Sequence, residues 1–104
     1  MIVSTTMDVP GREIAEILGM VHGNSVRARA VGRDIVASLR NLVGGEIPEY
    51  AELLVASRQQ ALDRMLVSAE ELGADAVLGV RYNTAQVMQS VAELLAYGTA
   101  VKLR

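Results

Sequence analysis

The residues able to do chemistry are few and scattered. Arg58 stands out first, because it lies within an apolar helical stripe, between Leu54 and Ala61. A guanidinium there can anchor a carboxylate or another anion. It can equally form a structural ion pair, with Asp34 or another acidic residue, or reach past the stripe's edge to water. Arg33, Asp34 and Arg40 lie on or beside a shorter helix upstream. Asp34 suits that helix's N-terminus and Arg40 its C-terminus, so capping accounts for both without a ligand; the two arginines could also hold a phosphate. His22 could act as a general base or as one metal ligand, with Glu13 and Glu16 the nearest carboxylates in sequence. It has no companion imidazole or thiolate, and it reads as an exposed turn residue. Gly44-Gly45 reads as a helix stop, since a phosphate-binding loop needs a glycine-flanked lysine and the only lysine is Lys102. No nucleophile elbow is present, and no residue is assigned a catalytic role.

The elements that must position these groups are legible in part. Residues 2 to 5 lean towards a strand, and Met7-Asp8-Val9-Pro10-Gly11 marks a turn. Glu13 to Val21 reads as a strand with a bulge or a close backbone approach at Gly19, followed by a turn at Gly23-Asn24-Ser25 and a resumed strand over 26–31. A short helix is expected over 32–43. Ile47 to Leu72 is the strongest segment: Tyr50, Leu54, Ser57, Arg58, Ala61, Met65, Ala69 and Leu72 fall on one stripe. Pro48 and Gly73 bracket it as a helix requires. At 1.5 Å per residue this helix is about 39 Å long, whereas a compact chain of this size is about 33 Å across. Residues 76 to 82 form a strand, Asn83-Thr84-Ala85-Gln86 a turn, and Val87 to Leu103 reads as a closing hairpin. The expected class is therefore α+β: one domain over 1–104, with an antiparallel sheet covered on one face by the long helix and a short one.

The chain has 104 residues, a net charge of −2, no cysteine and one histidine. Disulfides, thiolate metal sites and multi-histidine sites within one chain are excluded. The mild acidity and the absence of a basic run argue against nucleic acid as a partner. No apolar stretch approaches the roughly 20 residues of a membrane span, and the N-terminus lacks the features of an export signal, so a cytoplasmic protein is expected. With glycine counted and tyrosine left out, about 57% of the residues are apolar, above the usual 45–50%. In so small a domain part of that excess must reach the surface, which points to self-association. If Val77, Val80, Leu95 and Val101 occupy both faces of the sheet, a neighbouring subunit is the simplest cover for the second face.

One family gathers these residues. Ser4-Thr5-Thr6, Gly19-Met20-Val21-His22-Gly23, Arg33-Asp34 with Ala37 and Arg40, Val43-Gly44-Gly45, Tyr50, Arg58 with Ala61, Leu72-Gly73-Ala74-Asp75-Ala76-Val77-Leu78-Gly79-Val80 and Tyr97-Gly98-Thr99-Ala100-Val101-Lys102 together resemble the YbjQ-like family. The resemblance covers nearly the whole chain in order and spacing. It implies a subunit of dodecin-like topology that assembles into a ring, a homopentamer. It also maps the family's recurrent polar positions onto Arg33, Asp34, Arg40, Tyr50 and Arg58, expected to form a structural or ligand-binding network between the helices. The family's heavy-metal label offers a divalent metal as cofactor, for which His22 and carboxylates at subunit contacts are the candidate ligands. Soft metals prefer thiolate and imidazole, which this chain barely supplies. The leading expectation is a non-enzymatic self-assembling scaffold or small-ligand binder; the metal binder is the alternative.

Overall fold

A computed structural model describes residues 1–28, 48–88 and 91–104, without the side chains of 26–28, 48–50, 86–88 and 91–92. The elements are β1 (Ile2–Val3), β2 (Ile14–Ala28), α1 (Pro48–Glu71), β3 (Ala76–Met88) and β4 (Val91–Leu103). The expected short helix over 32–43 lies outside the described residues.

The sheet has the order β1-β3-β4-β2. β2 and β3 both pair antiparallel with β4, but β1 pairs parallel with β3, so the sheet is mixed rather than wholly antiparallel. β1's ladder is prolonged beyond Val3: Ser4 N donates to the Val77 carbonyl at 3.0 Å, and the Thr6 carbonyl accepts from Gly79 N at 2.8 Å.

Helix α1 matches its expected range to within a residue at each end. Its C-terminus closes as a Schellman motif. Gly73, with φ 75°, donates to the Glu70 carbonyl at 2.9 Å, and Ala74 N reaches back to Ala69 at 3.1 Å. The buried line on α1 is narrower than the hydropathy pattern suggests. Ser57, Ala61, Met65 and Ala69 are buried, four residues apart, whereas Leu54 and Leu72 at its ends are about half exposed. The helix lies mainly over β2, then β4, and barely reaches β3.

Two expected turns are continuous strand. Gly23-Asn24-Ser25 runs through the middle of β2, paired with Ala96, Leu95 and Leu94. Its composition has a packing origin. Gly23 admits the backbone of α1 where the helix crosses β2, and Ser25, 1% exposed, is satisfied by donating to Gln60 Oε1 at 2.8 Å. Asn83 to Gln86 likewise stays in β3, paired with Leu95 to Ala92. Those residues are polar because the strand has left the core there: Arg81 to Ala85 are all exposed. The closing segment is thus one strand, β4, and the hairpin is the β3–β4 pair, matched as far as Met88 and Val91.

Two of the sheet's register shifts fall at glycines with positive φ. Of the bulge or close backbone approach expected at Gly19, the structure shows the bulge, with a register shift between Ile17 and Gly19 and φ 137° at the glycine. A second falls between Leu78 and Arg81, with Gly79 at φ 63°. The N-terminal segment seats on it, since Val80 N donates to the Ser4 carbonyl at 3.0 Å. Gly79→Ala should therefore lower stability by roughly 1–2 kcal/mol, the cost of a left-handed non-glycine residue. The Met7 side chain, whose Sδ would lie 3.1 Å from the new Cβ, can swing away and adds little. Urea unfolding followed by circular dichroism reads this out.

The core sits between α1 and the sheet, where Ala61, Met65 and Ala69 of the helix share one cluster with Val21, Val77, Val80, Ala96 and Ala100. A smaller cluster on the sheet's second face joins Ala76, Leu78, Val101 and Leu103, with Val9 packed against it. The chain is not the compact body its length suggests. Its extents are 54 × 25 × 16 Å and its radius of gyration 17.1 Å, against about 13 Å for a compact chain of this size. A 15-residue strand alone runs to about 50 Å, so length in the strands sets the shape. No helix among the described residues is long and apolar enough to cross a membrane.

Candidate functional site

The residues expected to form one polar network are not brought together within the described part of the chain. Arg33, Asp34 and Arg40 lie outside it. Tyr50 is in the first turn of α1, with its side chain outside the description. Arg58 is exposed on α1 rather than held in the apolar stripe, because the buried line runs one residue away through Ser57 and Ala61. No anion anchor of the kind its position suggested is formed at Arg58 by burial.

His22 is not a turn residue. It sits in mid-strand on β2, exposed, on the sheet face opposite α1. Alternation fixes that face: Val21, Gly23 and Ser25 are buried towards the helix, while Met20, His22 and Asn24 are exposed on the other side. Pairing across the sheet makes rows on this face. His22 is opposite Tyr97, which is opposite Arg81; Met20 is opposite Thr99 and then Leu78; Asn24 is opposite Leu95 and then Asn83. The Arg81 guanidinium is turned to the N-terminal segment, donating through Nη1 to the Thr5 carbonyl at 3.0 Å and the Val80 carbonyl at 2.9 Å. Asn24 Nδ2 donates to Glu93 Oε2 at 3.3 Å. The face is therefore a mixed surface: thioether and aliphatic groups at Ile17 and Met20, then imidazole, phenol and amide.

An open groove of about 500 Å³ runs along the flank of α1, lined by Ala56, Gln59, Gln60, Asp63, Arg64 and Val67. Its polar groups are already engaged by the fold. Gln60 accepts from Ser25, Gln59 Nε2 donates to Asp63 Oδ1 at 2.8 Å, and Arg64 Nη1 donates to the Asn24 carbonyl at 2.5 Å. It is a seam that fastens the helix to β2, and it presents no nucleophile or acid–base pair.

The donor set for a metal is narrow. Among the described residues no three His, Asp or Glu side chains cluster, and cysteine is absent. Divalent ions such as zinc need about four N, O or S ligands, so these residues do not fit one. The carboxylates have other roles: Asp75 Oδ2 accepts from Leu103 N at 2.9 Å, and Glu13 faces Arg104 at 3.5 Å. What the sequence reading missed is the pair Met20 and His22, two apart on one exposed strand face. Reading 23–25 as a turn hid it, since that put His22 at a strand's end.

Comparison with known proteins agrees with the fold. A protein of unknown function from Pediococcus pentosaceus, described as belonging to the DUF74 family, superposes with a TM-score of 0.71 at 19% identity, covering all of this chain and 98% of its own. A UPF0145 protein from Archaeoglobus fulgidus is 61% identical over 103 residues, 99% of this chain and 95% of that relative. One from Fervidobacterium nodosum is 60% identical over 104 residues, covering all of this chain and 96% of its own. The YbjQ family model, which carries the description "Putative heavy-metal-binding", matches residues 1–104. With sequence, topology and relatives in agreement, the chain belongs to the YbjQ family of UPF0145 proteins.

Proposed function

We propose that this protein is a non-enzymatic self-assembling unit, a homopentameric ring that serves as a scaffold or small-ligand binder. The observation that carries it is a mismatch of lengths. Among the described residues the buried stretch runs from Ser57 to Ala69 on α1 and from Ala76 to Val80 on β3. The helix and the β3–β4 ribbon continue beyond it, leaving Leu54 45% exposed, Val55 55% exposed and Arg81 to Ala85 in the open. A lone chain gains little from extending regular structure past its own core, whereas a ring packs one subunit's overhang on the next. Covering a Leu or Val side chain contributes about 1.5–3 kcal/mol, so a few such residues per contact suffice to hold subunits together.

Replacing Leu54 and Val55 together by glutamate tests this. The expected result is loss of assembly with helical circular dichroism retained, because both side chains lie outside the core of the described residues. Light scattering after gel filtration measures it, and an assembly of unchanged mass overturns the reading. The alternative, a divalent metal bound by carboxylates and His22, has less support: among the described residues no carboxylate is paired with His22 or lies in its cross-strand row.

A further inference from the structure

We propose that Met20 and His22 together form a site for a soft monovalent cation, copper(I) or silver(I). The two residues are two apart on β2, so their Cα atoms lie about 6.6 Å apart and their side chains stand on the same face. Val21 and Gly23, the intervening and following residues, are buried towards α1, which fixes the outward direction of the pair. Met20 is 73% exposed, an unusual place for a large thioether, and His22 is exposed beside it. The thioether Sδ and a neutral imidazole nitrogen each offer one lone pair, and at this spacing both can converge on one ion. Thioether donors select copper(I) over the harder divalent ions, and imidazole accepts either. Thr99 and Tyr97 are opposite the pair on β4. The family's heavy-metal description names neither residues nor an ion; this inference supplies both, and it does not depend on the ring.

Silver(I) is the probe, since it stays monovalent in air and the chain has no thiol to compete. Untagged protein is titrated with silver nitrate by calorimetry, with the Met20 methyl and His22 ring signals followed by NMR. The expected result is one silver ion per chain, with both signals shifting together. Met20→Leu and His22→Gln should each weaken binding by at least about tenfold, since changing even a hydrogen-bond partner of a metal ligand costs about 10–100-fold. Met7→Leu is the control: Met7 is equally exposed, but it packs over Gly79 on β3, two strands away from β2. It should leave binding unchanged, as should the Leu54→Glu, Val55→Glu variant. Circular dichroism confirms that each variant is folded. No bound silver, silver binding that survives loss of either residue, or zinc held more tightly than silver would overturn the proposal.

Discussion

Gly23→Ala is expected to destabilise the protein by at least about 3 kcal/mol, at or beyond the upper end of ordinary overpacking. A Cβ at this position would overlap the Ala61 carbonyl oxygen and the Met65 amide nitrogen, and would lie 2.8 Å from the Arg64 carbonyl carbon. All three are backbone atoms of α1, so no side chain can rotate out of the way. The helix must lift from β2. That motion weakens the Ser25–Gln60 and Arg64–Asn24 hydrogen bonds on either side and opens the contacts of Ala61 and Met65. Against a typical total of 5–15 kcal/mol, such a loss moves the urea midpoint far down or prevents folding. A midpoint within 1 kcal/mol of the parent, by the measure that calibrates the Gly79 change, would show that the helix does not approach β2 this closely.

Met65→Ala should cost about 2–5 kcal/mol, with the upper half of that range expected. Met65 is fully buried and heads the largest buried side chains. The buried members of its cluster are alanines and valines, Val21, Ala61, Ala69, Val77, Val80, Ala96 and Ala100, which are short, with the longer Leu18, Leu62, Leu66 and Leu94 only partly buried against it. Unfolding of an assembling protein depends on concentration, so parent and variant are compared at one protein concentration. A loss below 1 kcal/mol would mean that the core collapses around the missing thioether.

These two residues also show what the sequence could and could not reveal. The helix was legible because three independent signals coincide: apolar periodicity, Pro48 at its first turn and Gly73 just past its end. Gly19 was legible because a glycine interrupting an alternating strand has few other uses. Gly23 was not, because a glycine that admits a helix looks in sequence like a glycine that turns a chain. With Asn24 and Ser25 beside it the local pattern favours a turn, and only the register with Ala96 and Leu94 shows the strand continuing. The Asn83–Gln86 segment misled for a related reason: polarity in a strand that has outrun its core resembles polarity in a loop.

Arg58 fell within the projected stripe because a hydropathy wheel gives the stripe a width, whereas packing on a flat sheet selects the single row Ser57, Ala61, Met65 and Ala69. The same limit applied to the candidate site. Met20 and His22 became a pair only when β2 proved continuous, since two residues share a face only if the strand carries through both.

On the proposed function, α1 and the β3–β4 ribbon, which outrun the core of the described residues, are completed by neighbouring copies. Native mass spectrometry of the untagged protein at micromolar concentration tests it most directly. Expected is one dominant species at five times the 11.1 kDa chain mass, collapsing to single chains in the Leu54→Glu, Val55→Glu variant. A folded parent protein that flies as a single 11.1 kDa chain would contradict it.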